Sequence, residues 1–163
     1  MNSTANFTTV DAGSASLPVP KGINFALSAT AWGSTANPNQ GGAKAIDGFV
    51  NGYKESGTGD YTKEWATNEG IGAFLTLNWA IPIVVSSVVL YDRPNLGDNI
   101  LGGRITFSDR STYTTSALPN NGSAFVVPIN NVTTTSLTFL VTNVSSTTGN
   151  VGLAEIQVFG SVS

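Results

Sequence analysis

Short runs in which apolar and polar residues alternate one by one recur along this chain, and they constrain its fold more than any other feature. The apolar residues occupy every second position in three such runs: Ala73, Leu75, Leu77 and Trp79; Ile105 and Phe107; and Leu137, Phe139 and Val141. Successive side chains of a β-strand point to opposite faces, so a period of two indicates strands with one buried face. No segment sustains a helical period of 3.6 residues, and the best helical turn lies at residues 42–47.

Turn-forming residues divide the chain into several such strands. The predicted strands cover residues 74–79, 84–92, 103–108, 123–129, 136–143 and 154–160, with one peripheral strand at residues 6–10. About eight short strands without intervening helices predict an all-β fold, an antiparallel β-sandwich of the jelly-roll type. Residues 1–22 are polar and end in Leu-Pro-Val-Pro. They are typical of an N-terminal extension or linker, so we expect one domain over residues 23–163.

The composition excludes many functions. The 163 residues contain no cysteine and no histidine, which excludes a disulfide, a thiolate nucleophile, a Ser-His-Asp triad and the usual zinc sites. A bound metal would be a hard cation with oxygen ligands, Ca²⁺ first among them. The net charge of −3 disfavours nucleic acid as a partner. A membrane partner is also disfavoured, because the chain has neither a basic cluster nor a run of about 20 apolar residues.

Several segments, in order, resemble one known family. They are residues 24–31, 45–48 (Ala-Ile-Asp-Gly), 64–67, 75–79, 88–93 and 152–160. This ordered set resembles the discoidin or coagulation factor 5/8 type C family, also called galactose-binding-domain-like, and is closest to the family 32 carbohydrate-binding modules of microbes and fungi. The resemblance implies an eight-stranded jelly roll with a ligand site in the loops at one end. We expect a secreted or cell-surface protein, although residues 1–20 show no signal peptide.

The same resemblance implies a structural Ca²⁺ site. The family's ligand positions match Asp47, Ala154 and Glu155, and the carbonyl of Lys44 is a further ligand in this interpretation. One departure is that the family's threonine ligand just before a tryptophan is displaced by one position here, at Thr62. The alternative is that Asp47 only closes a turn and that Glu155 only lies near a strand end.

A sugar presents an apolar C–H face and a set of hydroxyl groups, so its site needs an exposed aromatic side chain beside fixed polar groups. The predicted carbohydrate-binding residues are Trp32, Tyr53, Tyr61, Asp92, Arg93, Asn95 and Asp98. The alternative for Asp92 and Arg93 is an ion pair that fastens the loop. Trp65 and Trp79 are interpreted more simply as core residues.

The leading functional hypothesis is a non-catalytic carbohydrate-binding module or lectin, with a glycan or polysaccharide as its partner. Such a module can also be one part of a larger enzyme. A carboxylate-based glycoside-active enzyme that uses Asp92 and Asp98 is a rival, although both residues lie in one loop. An adhesion domain that binds protein or lipid is the third hypothesis. The sequence does not identify the sugar.

Overall fold

The computed structural model describes residues 9–11, 13–50 and 60–163. These residues form eight strands: β1 (Thr9–Asp11), β2 (Thr30–Gly33), β3 (Trp65–Thr67), β4 (Phe74–Asp92), β5 (Ile100–Phe107), β6 (Thr112–Thr115), β7 (Phe125–Val144) and β8 (Val151–Val162). The helical segments among them are short 3-10 turns at Phe25–Ser28, Gly42–Ile46 and Tyr61–Lys63. The predicted all-β sandwich with about eight strands is therefore confirmed.

The strands are hydrogen-bonded in the order β1-β6-β5-β7-β4-β8-β3, and β2 also pairs with β4. The β1–β6 pair is parallel, and the other pairs are antiparallel. Strands β4 and β7 belong to both layers of the sandwich, because each of them bends. In β4 the register shifts between Asn78 and Ile83, and in β7 Asn131 has a φ of 47°. One layer contains β2, β5, β6 and the end of β7, and the other contains β3, β8 and the start of β7.

These bends explain where the predicted strands differ from the observed ones. The segments predicted separately at 74–79 and 84–92 form the single strand β4, and those at 123–129 and 136–143 form β7. Proline and polar residues between them indicated turns, whereas the chain continues pairing on either side of each bend. Strands β2, β3 and β6 were not predicted, because three or four residues are too few to display a period.

The core lies between the two layers, and the residues of the alternating runs point into it. Trp79 is 7% exposed, and its Nε1 donates to the carbonyl of Phe25 at 2.9 Å. Trp65 is fully buried, and its Nε1 donates to the carbonyl of Thr35 at 2.9 Å. Residue 152, on the neighbouring strand β8, must be glycine, because an added Cβ there would lie 1.8 Å from the Trp65 carbonyl oxygen. Both tryptophans are therefore core residues.

The N-terminal segment touches the sandwich at two places. β1 pairs with β6, and Ser14 exchanges two backbone hydrogen bonds with Val126, at 2.9 and 3.0 Å. The predicted strand at residues 6–10 overlaps β1, although residues 6–8 lie outside the described part of the chain. Among the described residues, none of the helical segments has the length and apolar character of a membrane-spanning helix.

Candidate functional site

Four loops meet at the end of the sandwich where β4 ends and β5 begins. They are residues 34–41, 60–64, 93–99 and 145–150, and we call this region the loop end. The Asn37 side chain donates to the Asn150 side chain at 3.0 Å, which joins the first loop to the last. Gln40 Nε2 donates to Glu64 Oε1 at 2.9 Å, which joins the first loop to the second.

A buried arginine holds three of these loops together. Arg93 Nε donates to Glu64 Oε1 at 2.8 Å, and its Nη1 donates to Asp98 Oδ2 at 2.9 Å and to the Asn150 carbonyl at 3.3 Å. Arg93 is 5% exposed and Glu64 is fully buried. Burial opposes the charged guanidinium, but the Glu64 and Asp98 carboxylates outweigh it and raise the pKa of Arg93. This group is therefore an internal charge network, stabilised by charge-assisted hydrogen bonds.

Asp92 lies next to this network and is also fully engaged. Its Oδ1 accepts from the Arg93 backbone N–H at 2.8 Å, and its Oδ2 accepts from Asn99 Nδ2 and from the Ile100 backbone N–H, both at 2.9 Å. Burial raises the pKa of Asp92 to about 7, against the lowering effect of these three donors. Asp92 thus fixes the start of β5 relative to the end of β4.

The residues that were predicted to bind sugar include a buried group of charged residues and two aromatic residues that are about half exposed. Asp92, Arg93 and Asp98 are buried, and their named polar atoms bond within the protein. This arrangement matches the alternative of an ion pair that fastens the loop, except that the partners of Arg93 are Glu64 and Asp98 rather than the Asp92 carboxylate. Tyr61 is 49% exposed and Trp32 is 51% exposed.

The other predicted residues take different positions. Asn95 is half-buried at the loop end, where its Oδ1 accepts from the Gly97 backbone N–H at 3.0 Å. Trp32 lies on the outer face of β2, edge-on to Phe74 with ring centroids 5.6 Å apart. It is therefore on a sheet face and not among the loops. Tyr53 lies outside the described residues.

The amide groups at the loop end were not predicted from the sequence. Asn37 Nδ2 bonds to Asn150 Oδ1 and to Gln40 Oε1, the latter at 3.2 Å. Asn37 Oδ1 and Asn150 Nδ2 have no hydrogen-bond partner among the described residues, and both side chains are half-buried. Their sequence signal is weak, because Asn-Pro-Asn-Gln and Gly-Asn indicate turns and do not show which loops meet in space.

The predicted calcium ligands lie elsewhere, where the 3-10 turn at Gly42–Ile46 meets β8. The Glu155 Oε1 atom accepts from the Gly48 backbone N–H at 2.9 Å, and Asp47 Oδ1 accepts from the Phe49 backbone N–H at 3.0 Å. The second oxygens, Asp47 Oδ2 and Glu155 Oε2, are buried without a hydrogen-bond partner. Burial raises the pKa of Glu155 to about 8, and the Asp47 carboxylate contributes to the rise. Two adjacent carboxylates with unpaired oxygens suit a hard cation.

The other two predicted ligands could offer only backbone oxygens. Among the described residues, no group of three or more Asp, Glu, His or Cys side chains is placed to hold a metal. Ala154 is fully buried immediately before Glu155, and the β4–β8 register skips it, with Leu153 opposite Asp92 and Glu155 opposite Tyr91. Such a bulge redirects backbone groups out of the ladder. Lys44 lies within the 3-10 turn that ends beside Asp47.

Several solved structures share this architecture. A fucolectin from the serum of striped bass (Morone saxatilis) has a TM-score of 0.68 and 17% identity, over 88% of this chain and 49% of its own. A family 32 carbohydrate-binding module of C. perfringens NanJ, solved with galactose, has a TM-score of 0.61 and 17% identity, over 82% of this chain and 94% of its own. Chitosan-binding module 1 of a Paenibacillus chitosanase/glucanase has a TM-score of 0.67 and 20% identity, over 85% of this chain and 100% of its own.

These similarities show the discoidin or galactose-binding-like fold that the sequence analysis predicted. The chain spans about half the length of the fucolectin. No curated protein sequence matches this chain. A family model described as "Domain of unknown function (DUF7402)" matches residues 24–159, which is most of the chain, and the protein therefore belongs to this family.

Proposed function

We propose that this protein is a non-catalytic carbohydrate-binding domain whose site lies at the loop end. The fold is shared with a lectin domain solved with Lewis B antigen, a carbohydrate-binding module solved with galactose and a chitosan-binding module. We carry only the class of ligand, a glycan, from them to this chain. A secreted or cell-surface location and a covalently attached catalytic domain are parts of the same proposal.

The observation that supports the site most directly is the pair of amides, Asn37 and Asn150, at the loop end. Their side chains are 3.0 Å apart, and they leave one acceptor, Asn37 Oδ1, and one donor, Asn150 Nδ2, without described partners. Neighbouring sugar hydroxyls can each donate and accept, so an adjacent acceptor and donor complement them. The buried Arg93 network fixes the Asn150 backbone, which reduces the entropy lost on binding.

Tyr61 supplies the apolar part of the proposed site. Its ring is about half exposed, and its carbonyl accepts from Gln40 Nε2 at 3.2 Å, so it belongs to the same connected group of loops. An exposed ring offers a face for the C–H groups of a sugar. Asn95, on the neighbouring loop, adds a side-chain amide without a described acceptor. Arg93 acts in this proposal as a positioning residue, because it is 5% exposed and its Nε and Nη1 donate within the protein.

The glycosidase alternative is disfavoured, because its two carboxylates, Asp92 and Asp98, are occupied by hydrogen bonds within the protein. Asp92 accepts from three N–H groups, and Asp98 accepts from Arg93 and from two backbone N–H groups. A glycosidase needs one carboxylate that can ionise at the sugar and a second group that can donate a proton to it. Both residues are also buried, Asp92 at 2% and Asp98 at 9% exposure. We therefore expect no hydrolysis of aryl glycosides.

A glycan array followed by calorimetry tests the proposed function. We expect selective binding with a Kd between about 1 mM and 1 μM, which corresponds to about −4 to −8 kcal/mol, because a shallow site buries little surface. Asn150→Ala should weaken binding about tenfold, since it removes one donor and one partner of Asn37. Asn130→Ala is the matched control, because Asn130 is exposed at the bend of β7. Failure of every glycan to bind, or equal binding by both variants, would overturn the proposal.

We also propose a structural Ca²⁺ at Asp47 and Glu155, with Lys44 and Ala154 as backbone ligands. The two buried oxygens without partners, Asp47 Oδ2 and Glu155 Oε2, support it. Bound Ca²⁺ would neutralise the repulsion between the carboxylates. It would also join the turn before residue 48 to β8, so calcium should raise the free energy of unfolding.

A further inference from the structure

The outer face of the first layer carries a groove that is separate from the loop end. Its volume is about 360 Å³. It is lined by residues of β4, β5 and β7: Phe74, Thr76, Arg104, Thr106, Phe107, Ser136, Thr138 and Leu140. The side chain of Phe107 points into the core, so the other seven residues provide the side chains of the groove. The face therefore combines hydroxyl groups, apolar surface and one cation, and none of the lining residues is acidic.

The hydroxyl groups form a row across the strands. In the registers of the three pairs, Trp32 lies opposite Thr76, Thr76 opposite Thr138, and Thr138 opposite Thr106. The hydroxyls of Thr76 and Thr138 are 3.0 Å apart. Adjacent strands lie about 4.8 Å apart, so the row from β2 to β5 spans about 14 Å. This length and direction suit an extended chain that lies across the strands.

Arg104 forms the positive part of the same face. It lies opposite Leu140, which in turn lies opposite Phe74, so these three form a second row beside the threonines. Arg104 is exposed. Within the described residues its guanidinium has no hydrogen bond or ion pair, in contrast to Arg93, which has two acidic partners. An unpaired guanidinium presents a planar fork that matches a carboxylate.

We propose that this groove binds an acidic polysaccharide chain, with Arg104 pairing with a uronate carboxylate. The threonine row would bond to the sugar hydroxyls, and Trp32 and Phe74 would pack against the C–H faces at one end of the groove. Charge complementarity favours an acidic glycan, because a neutral or cationic glycan would offer Arg104 no carboxylate partner. The site does not depend on the loop-end site, since the two share none of their proposed contacts.

Affinity electrophoresis of the complete chain in gels that contain polygalacturonate tests this proposal. Carboxyl-reduced polygalacturonate is the matched neutral ligand. We expect retardation by the acidic polymer, little by the reduced one, and weakening as salt is added. Arg104→Gln should weaken binding about tenfold or more, the usual consequence of losing a charge-assisted pair. Lys21→Gln removes the same charge from an exposed residue outside the groove and should change binding less than twofold.

The loop-end variant separates the two sites. Asn150→Ala should bind polygalacturonate as the unmodified protein does, even if it loses the ligand found on the array. Loss of polygalacturonate binding in Asn150→Ala would move the acidic ligand to the loop end and overturn the groove. Absence of retardation, equal retardation by the reduced polymer, or equal effects of Arg104→Gln and Lys21→Gln would also overturn it. Unchanged melting of Arg104→Gln is the folding control, because the side chain makes no described polar contact.

Discussion

Two groups of buried or half-buried carboxylates lie at different places in this sandwich, and only one of them is electrostatically complete. At the loop end, Glu64 and Asp98 share Arg93, and Asp92 accepts from three N–H groups. Beside β8, Asp47 and Glu155 face each other, and each keeps one buried oxygen without a partner. Buried charge is tolerated when it is paired and hydrogen-bonded. The first group therefore needs nothing from outside the chain, whereas the second suits a cation.

The largest expected effect is the removal of Arg93 from the complete group. Arg93→Ala leaves Glu64 and Asp98 buried beside each other without their cation, which typically costs about 3–5 kcal/mol in the free energy of unfolding. Urea denaturation measures this. Arg104→Ala is the matched control, since Arg104 is exposed without a described partner, and it should cost less than about 0.5 kcal/mol. If both variants lose the same stability, the Arg93 network does not hold the loops.

The second test supplies the cation to the incomplete group. Ca²⁺ at a hundredfold excess over its Kd should raise the free energy of unfolding by about 2.7 kcal/mol relative to chelator. Asp47→Ala should abolish this response. Asp109→Ala is the control, because Asp109 closes the exposed turn between β5 and β6 through its bonds to Ser111. Identical melting with and without chelator, in protein shown by elemental analysis to be free of metal, would contradict the calcium proposal.

The contrast between these two groups also shows what the sequence could predict. The alternation of Leu75 and Leu77 was sufficient for the fold, because the strand period follows from local geometry. A loop-fastening ion pair of Arg93 was one of the two alternatives from the sequence, but its partner Glu64 was not predictable, because Glu64 is 29 residues away and was recognised only as part of a family segment. The amides of Asn37 and Asn150, 113 residues apart, meet only once the loops are placed. Pairing across the fold decides the site, and a local pattern does not encode that pairing.

A pH titration examines the complete group more closely, through Asp92. Its folded-state pKa of about 7 lies above the ordinary value of 3.8, so the unfolded chain loses this proton at lower pH than the folded protein does. The contribution of Asp92 to the free energy of unfolding should therefore fall as pH rises from about 4 to about 7, by at most about 1.4 kcal/mol per pH unit, and then stay level. Asp92→Asn should remove this part of the slope. Both proteins are measured with Ca²⁺ present, so that their stability curves differ only through Asp92 and are otherwise parallel. An identical slope in Asp92→Asn would contradict the raised pKa of Asp92.

The smallest expected effect comes from Glu→Gln, made separately in each group and measured with chelator present. Glu155→Gln removes a carboxylate that faces Asp47, and the new amide can donate to the unpaired Asp47 Oδ2, so we expect a change below about 1 kcal/mol. Glu64→Gln instead removes the negative charge of a carboxylate whose Oε1 accepts from both Arg93 Nε and Gln40 Nε2. It should cost clearly more, about 2 kcal/mol or above, because a charged partner is lost in a buried site. Chemical denaturation of the two variants in the same buffer gives the difference directly. Equal losses would mean that Glu155 is as fully paired as Glu64, and the distinction between a complete and an incomplete group would then fail.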